Sequence, residues 1–204
     1  MSEARLGILG GTFDPVHHGH LLIASELQFS LRLDRVLFVP AGDPPHKPTT
    51  PITPARHRTA MLALALENHD RFAIDAVELD RAGPSYTKDT LAVLAAHHPG
   101  TRLVFLMGED SLGDLPTWNR PEIIVALAEL GVARRPGIEL DLDSVYDHVP
   151  LARGRVHVVD VPEVGFASRD IRQRVRDGRP ITFHVPPAVE RYIVEHRLYR
   201  EHPG

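Results

Sequence analysis

Gly10-Gly11-Thr12-Phe13-Asp14-Pro15-Val16-His17-His18-Gly19-His20 is the stretch on which the reading of this chain turns. A short apolar run, Leu6 to Leu9, precedes it. After it, Leu21, Ala24, Leu27 and Leu31 recur at helical spacing from about Gly19 to Leu31. A buried strand therefore feeds a glycine turn, and the turn feeds a helix. Val36 to Val39, closed by Pro40, completes a βαβ unit, which is expected to be parallel and right-handed.

Working outward, the alternation continues. Thr53-Pro54 opens a helix to about Leu66, after a Pro-rich loop over 41–51. Phe72 to Leu79 reads as a strand, Asp89 to His97 as a helix and Leu103 to Met107 as a strand running into Gly108-Glu109-Asp110. Glu122 to Leu130 reads as a helix, and Val132 to Arg134 and Val156 to Val161 as short strands. The polar stretch 137–155 has no assigned structure. Ser168 is placed as the cap of a helix from Arg169 to Arg176, stopped by Gly178. Pro186-Pro187 open a last helix through Leu198. Buried strands alternating with helices predict an α/β fold with a doubly wound, Rossmann-like parallel sheet. Residues 1–204 form one domain on this reading, with 166–204 as a small C-terminal helical part. In such sheets a ligand sits beyond the carboxyl ends of the strands, at the switch point of strand order. That rule selects 10–20 and 108–110 as the site.

Composition narrows the classes. The chain has 204 residues, 43% apolar and 25% charged, with net charge −4 and 13 His. A mildly acidic chain does not advertise nucleic acid as a partner, so an anion site must be local. There is no Cys, hence no disulfide, thiolate metal site or thiol nucleophile. No run approaches the roughly 18 apolar residues of a membrane span. The N-terminus lacks the pattern of a signal peptide, so a soluble, cytoplasmic protein is expected. A homo-oligomer is compatible with the sequence.

The chemistry of the motif follows from its residue types. Two glycines let the backbone approach a phosphate closely. The free N–H groups and positive dipole end of the following helix suit phosphate oxygens. His17 and His20, three apart, can meet one anion together. The pattern is neither Gly-x-Gly-x-x-Gly nor a P-loop. A bare turn, two helix-start histidines, or zinc on His17, His18 and His20 are the plainer alternatives; no further zinc ligand is placed by spacing. Asp110 suits a ribose hydroxyl, and Trp118, the only Trp, suits stacking on a flat ring or anchoring a core. Thr12 and Asp14 read as shaping the turn.

These residues resemble the nucleotidylyltransferase superfamily, which shares its His-x-Gly-His with class I aminoacyl-tRNA synthetases. The fuller Gly-Gly-Thr-Phe-Asp-Pro-x-His-x-Gly-His resembles bacterial nicotinate-nucleotide adenylyltransferases. So do Pro44-Pro45-His46-Lys47, Ser85-Tyr86-Thr87 with Asp89-Thr90-Leu91, Gly108 and Asp110 with Trp118, Arg135-Pro136-Gly137, and the C-terminal Val185 to Tyr199. The resemblance spans nearly the whole chain. It implies adenylyl transfer from ATP to nicotinate mononucleotide, with Mg²⁺ accompanying ATP. The implied catalytic residues are His17, His20, Lys47 and Arg172. Gly10, Gly11, Thr12, Phe13, Gly108, Asp110, Ser168, Arg169 and Arg172 join the histidines around ATP. Lys47, Ser85, Tyr86, Thr87, Trp118 and Arg135 are implied for the pyridine mononucleotide. One segment departs: where the family usually reads Ile-Ser-Ser-Thr-x-Ile-Arg, this chain has Phe166-Ala167-Ser168-Arg169-Asp170-Ile171-Arg172, losing two hydroxyls and gaining a cation. The readings that stay open are a preference for nicotinamide mononucleotide and a non-catalytic nucleotide-binding protein on the same fold. A phosphopantetheine adenylyltransferase would leave Ser-Tyr-Thr and Trp118 without a role, and a class I synthetase would need a tRNA-binding extension.

Overall fold

The computed structural model describes residues 3–42, 52–81, 83–137 and 139–200. Six strands, all parallel, form one sheet: β1 (Ala4–Gly11), β2 (Arg35–Pro40), β3 (Phe72–Ile74), β4 (Thr101–Gly108), β5 (Ala128–Arg134) and β6 (Val156–Asp160). Their spatial order is β3-β2-β1-β4-β5-β6, the doubly wound α/β arrangement. The order reverses between β1 and β4, so the switch point lies between the ends of these strands, Gly11 and Gly108.

The pleat sorts the core into two halves. Leu9, Val36, Phe38, Val104 and Leu106 face one layer with α1 (His18–Ser30), α2 (Ala55–Leu66), α7 (Ser168–Arg176) and α8 (Pro187–Glu195). Leu6, Ile8, Leu37, Phe105 and Leu130 face the other, with α3 (Thr87–His97), α5 (Pro121–Leu127) and α6 (Leu142–His148). A short α4 (Glu109–Asp114) follows β4 directly. A Cβ on Gly131 would lie 2.7 Å from Leu31 and 2.8 Å from Leu106, so this glycine lets the end of α1 lie flat on the sheet.

Several element boundaries differ from the sequence expectation. The helix read over 122–130 ends at Leu127, and Ala128 opens β5 without a loop. Ala128, Leu130 and Val132 alternate into the core. Between them Glu129 is held at the sheet's amino end by Arg5 at 3.1 Å, Arg102 at 3.0 Å and His157 at 2.9 Å. Tertiary pairing overrides a helical local preference there. The strand read over 72–79 is only Phe72–Ile74, because the Asp75 carboxylate accepts the Val77 N–H at 2.9 Å and turns the chain. Within the unassigned 137–155, Asp141 caps α6 by accepting the Ser144 N–H at 2.9 Å. The last helix stops at Glu195 rather than Leu198, and Arg197 and Tyr199 then take left-handed φ of 50° and 64°.

Candidate active site

The motif turn leaves β1 and is held from outside itself. Arg58, buried, donates to the carbonyls of Thr12 and Ala41 at 2.8 Å and of Thr53 at 2.9 Å. Arg172 donates to the Asp14 carbonyl at 2.6 Å, and the Ser168 hydroxyl to the Pro15 carbonyl at 2.9 Å. The Asp14–Pro15 peptide is cis. The Asp14 carboxylate, 3% exposed, accepts the Tyr199 hydroxyl at 2.7 Å and the Thr53 N–H at 3.1 Å. Phe13 is no surface contact. Its ring is buried, under Gly11 and against His20 and Phe38, so it shapes the turn from within the core.

His17 is the extended N-cap residue of α1. Its ring stacks on His20 with centroids 3.7 Å apart and planes at 23°. A Cβ at Gly19 would lie 3.0 Å from His17 Nδ1, so glycine between the histidines leaves room for the ring. The His17 N–H donates to His20 Nδ1 at 3.3 Å. That contact assigns the His20 proton to Nε2, leaving it a donor there. Burial first, and then His18, lowers the His17 pKa to about 4. Burial and the neighbouring His17 hold His20 well below the ordinary value. Both rings are therefore neutral donors at pH 7 until a polyanion arrives to favour their charged forms.

The pair lines a cleft of about 430 Å³ with Gly108, Asp110, Arg135 and Ser168. Asp110 lies in the first turn of α4 with its side chain 86% exposed, free to face a ligand and only 3.3 Å from Arg135. Arg135 is placed here, on the histidine side, and not beside Trp118. Its Nε and backbone N–H both donate to Glu109, whose side chain is only 5% exposed. Glu109 was not singled out in the sequence because nothing local marks a turn carboxylate as the partner of a residue 26 positions away. Ser168 begins α7 and does not cap it; Ala167 is the N-cap residue, and the Ser168 hydroxyl is used by Pro15. Arg172 lies under the motif turn and Arg169 is exposed beside Asp170, and neither lines this cleft. Lys47, assigned to both roles, lies outside the described residues, as does the rest of 43–51.

A second cleft of about 700 Å³ is built from segments that follow β3 and β4. Ser85, Tyr86 and Thr87 lie on one side, and Asp114, Thr117 and Trp118 on the other. Trp118 is half-buried, edge-to-face with Phe105 at 6.0 Å, so it is anchored in the core and still presents surface to the cleft. Ser85 is buried, and among the described residues its hydroxyl has no partner. Tyr86 is the N-cap residue of α3, which starts two residues before the sequence suggests, so Thr87 lies in its first turn. The free N–H groups of that turn give the cleft a positive rim. A Cβ on Gly10 would lie 3.9 Å from Phe105, the ring that supports Trp118, so the glycine turn reaches from one cleft toward the other.

A neutral histidine pair at the switch point of a 3-2-1-4-5-6 sheet, beside a cleft walled by an aromatic ring, defines a nucleotidyl-transfer fold. Residues 8–174 match the Cytidylyltransferase-like family. The chain is 57% identical over 97% of its length to the probable nicotinate-nucleotide adenylyltransferase of Thermomicrobium roseum, covering 92% of that protein. It is 45% identical over 96% of its length to that of Thermus thermophilus, covering all of it. In fold it is similar to the Plasmodium falciparum nicotinic acid mononucleotide adenylyltransferase complexed with APC, with a TM-score of 0.78 at 19% identity, covering 96% of this chain and 97% of that one. The chain belongs to the Cytidylyltransferase-like family and, within it, to the nicotinate-nucleotide adenylyltransferases.

Proposed function

We propose that this protein transfers the adenylyl group of ATP to nicotinate mononucleotide, releasing pyrophosphate and forming nicotinate adenine dinucleotide, a step of NAD biosynthesis. The observation that carries this reading is the pairing of two clefts at one switch point: stacked, neutral His17 and His20 line one, and Trp118 lines the other together with the α3 N-terminus.

The reaction needs alignment more than activation. The 5′-phosphate of the mononucleotide has its second pKa near roughly 6, so it is already a dianion at neutral pH. Its oxygen attacks the α-phosphorus of ATP as the α–β bridging oxygen leaves with pyrophosphate. No general base is required; the burden is charge stabilisation and in-line positioning. His20 Nε2–H and the His17 ring supply donors to the α-phosphoryl oxygens, in a site that is set before substrate binds. Mg²⁺ enters as the ATP complex. Asp14, the motif's own carboxylate, is buried and occupied by Tyr199 and Thr53, so the ion is assigned to substrate oxygens and water. Lys47, on its Pro-Pro-His-Lys context, is assigned to the leaving phosphates, and Arg172 to holding the motif turn from beneath through the Asp14 carbonyl. Trp118 stacks on the pyridine ring. The positive end of α3 at Tyr86 and Thr87 favours a ring carboxylate over an amide.

No helix among the described residues is long and apolar enough to cross a membrane. Both substrates are soluble metabolites, consistent with a cytoplasmic enzyme. The test is pyrophosphate release with MgATP, comparing nicotinate with nicotinamide mononucleotide. At least about tenfold higher kcat/KM for the acid, roughly 1.4 kcal/mol, is expected. Equal or reversed preference would keep the reaction and overturn the substrate. No release with either would move the chain to a nucleotide-binding protein without catalysis, the reading that Ala167 and Arg169 favour.

A further inference from the structure

We infer that Tyr199, near the C-terminus, is a positioning residue for the phosphate-handling histidines, acting through Asp14. The inference rests on the adenylyl-transfer reading above. Tyr199 is 185 positions from Asp14 in sequence, yet its hydroxyl donates to Asp14 Oδ1 at 2.7 Å. The chain makes this reach by leaving α8 at Glu195 and turning twice through left-handed residues, Arg197 and Tyr199. Asp14 is 3% exposed, so water cannot replace a lost partner. Its other oxygen accepts the Thr53 N–H at 3.1 Å, and its carbonyl accepts Arg172 at 2.6 Å.

Asp14 is thus a junction of four chain segments: the motif turn, the entry to α2, α7 and the C-terminus. Three residues further on stands His17, whose backbone N–H orients His20. The turn between them contains Pro15 and a buried Val16, so little slack separates the junction from the histidine pair. A displacement of Asp14 therefore passes to His17, and through its N–H to the proton-bearing side of His20. The Trp118 cleft is built from segments around α3 and α4 on the opposite layer, and shares no residue with the junction. Removing the Tyr199 hydroxyl should accordingly slow the transfer step and leave pyridine nucleotide binding alone.

The experiment is a double-mutant cycle of Tyr199→Phe and Asp14→Asn in the full chain, with pyrophosphate release as the readout. Tyr199→Phe is expected to lower kcat about tenfold while KM for nicotinate mononucleotide changes less than about twofold. In the Asp14→Asn background the same change should have almost no further effect. A kcat within twofold of the parent, or fully additive losses, would overturn the inference. To separate positioning from loss of stability, Val189→Ala, in the buried packing of α8, serves as a control with a comparable fall in Tm. Its kcat should hold; an equal loss of kcat would overturn the inference. A parent protein that releases no pyrophosphate would instead sink the adenylyl-transfer reading. The inference would then be judged on the His20 ring nitrogens followed by NMR. The readout there is the His20 tautomer, expected to be Nε2–H in the parent because Nδ1 accepts the His17 N–H and to become mixed in Tyr199→Phe; an unchanged tautomer would count against the inference.

Discussion

The two clefts at the switch point are held by different means. The histidine cleft rests on a turn fixed by Arg58, Ser168, Arg172 and Tyr199, all distant in sequence and all bonded to its backbone or to the Asp14 carboxylate. The Trp118 cleft is assembled from nearby helix ends, with a half-buried indole and a Ser85 hydroxyl that has no partner among the described residues. The contrast follows the chemistry assigned to each side. Developing charge at phosphorus is stabilised only by donors already in place. A flat ring can be recognised by stacking and a helix dipole, which tolerate small movements. Substitutions should therefore act on kcat on one side and on KM on the other.

The largest effect is expected at the histidines. His20→Ala removes a donor whose proton is fixed on Nε2 by the His17 N–H, and kcat should fall on the order of 10²–10³. Steady-state turnover with saturating nicotinate mononucleotide checks this; parent-level turnover would remove the histidines from the mechanism. The same burial has a cost in acid. The His17 pKa is about 4 in the fold against 6.5 unfolded, so between these values the unfolded chain binds the extra proton. Stability is complete above pH 6.5 and falls as pH drops toward 4, by about 3 kcal/mol from His17 alone. Denaturant midpoints across that range should show a steeper loss in the parent than in His17→Gln. Parallel curves would mean that His17 is not buried as a neutral ring.

On the other side, Trp118→Ala should raise KM for the pyridine mononucleotide about tenfold, within the roughly 1–3 kcal/mol of a stacked base. Turnover at saturation should change much less. A large drop in kcat with unchanged KM would erase the distinction between the clefts, and would point to the Phe105 contact as the one that matters.

This asymmetry also explains what the sequence alone could disclose. The doubly wound sheet was legible because β1, β2 and β4 are apolar runs punctuated by glycine or proline. The histidine pair and Trp118 were legible because their motifs are contiguous. Arg58, Glu109 and the role of Tyr199 were not, since each acts on a residue brought near only by folding, and an Arg in a helix or a Tyr near a terminus carries no local mark. The side of the site on which Arg135 stands is not legible either, for the same reason: it is set by Glu109 at the start of α4, not by the residues beside it in sequence. Ser168 was read as a helix cap, although its hydroxyl is used 153 positions away.

The smallest effect is expected where the chain departs from its family. Arg169 stands where the family usually carries a threonine, whose hydroxyl the resemblance assigns to the triphosphate; a guanidinium makes a stronger, charge-assisted contact with phosphate. Its side chain is 83% exposed and, among the described residues, pairs with Asp170 alone, at 3.4 Å. An exposed pair of this kind is screened by water and salt and contributes little. The first turn of α7 still offers backbone N–H groups whatever side chain stands there. Arg169→Ala should therefore raise KM for ATP no more than about twofold, with the difference vanishing at high ionic strength. A tenfold rise would show that Arg169 swings onto the phosphates once ATP is bound, so that a charge-assisted contact replaces the missing hydroxyls.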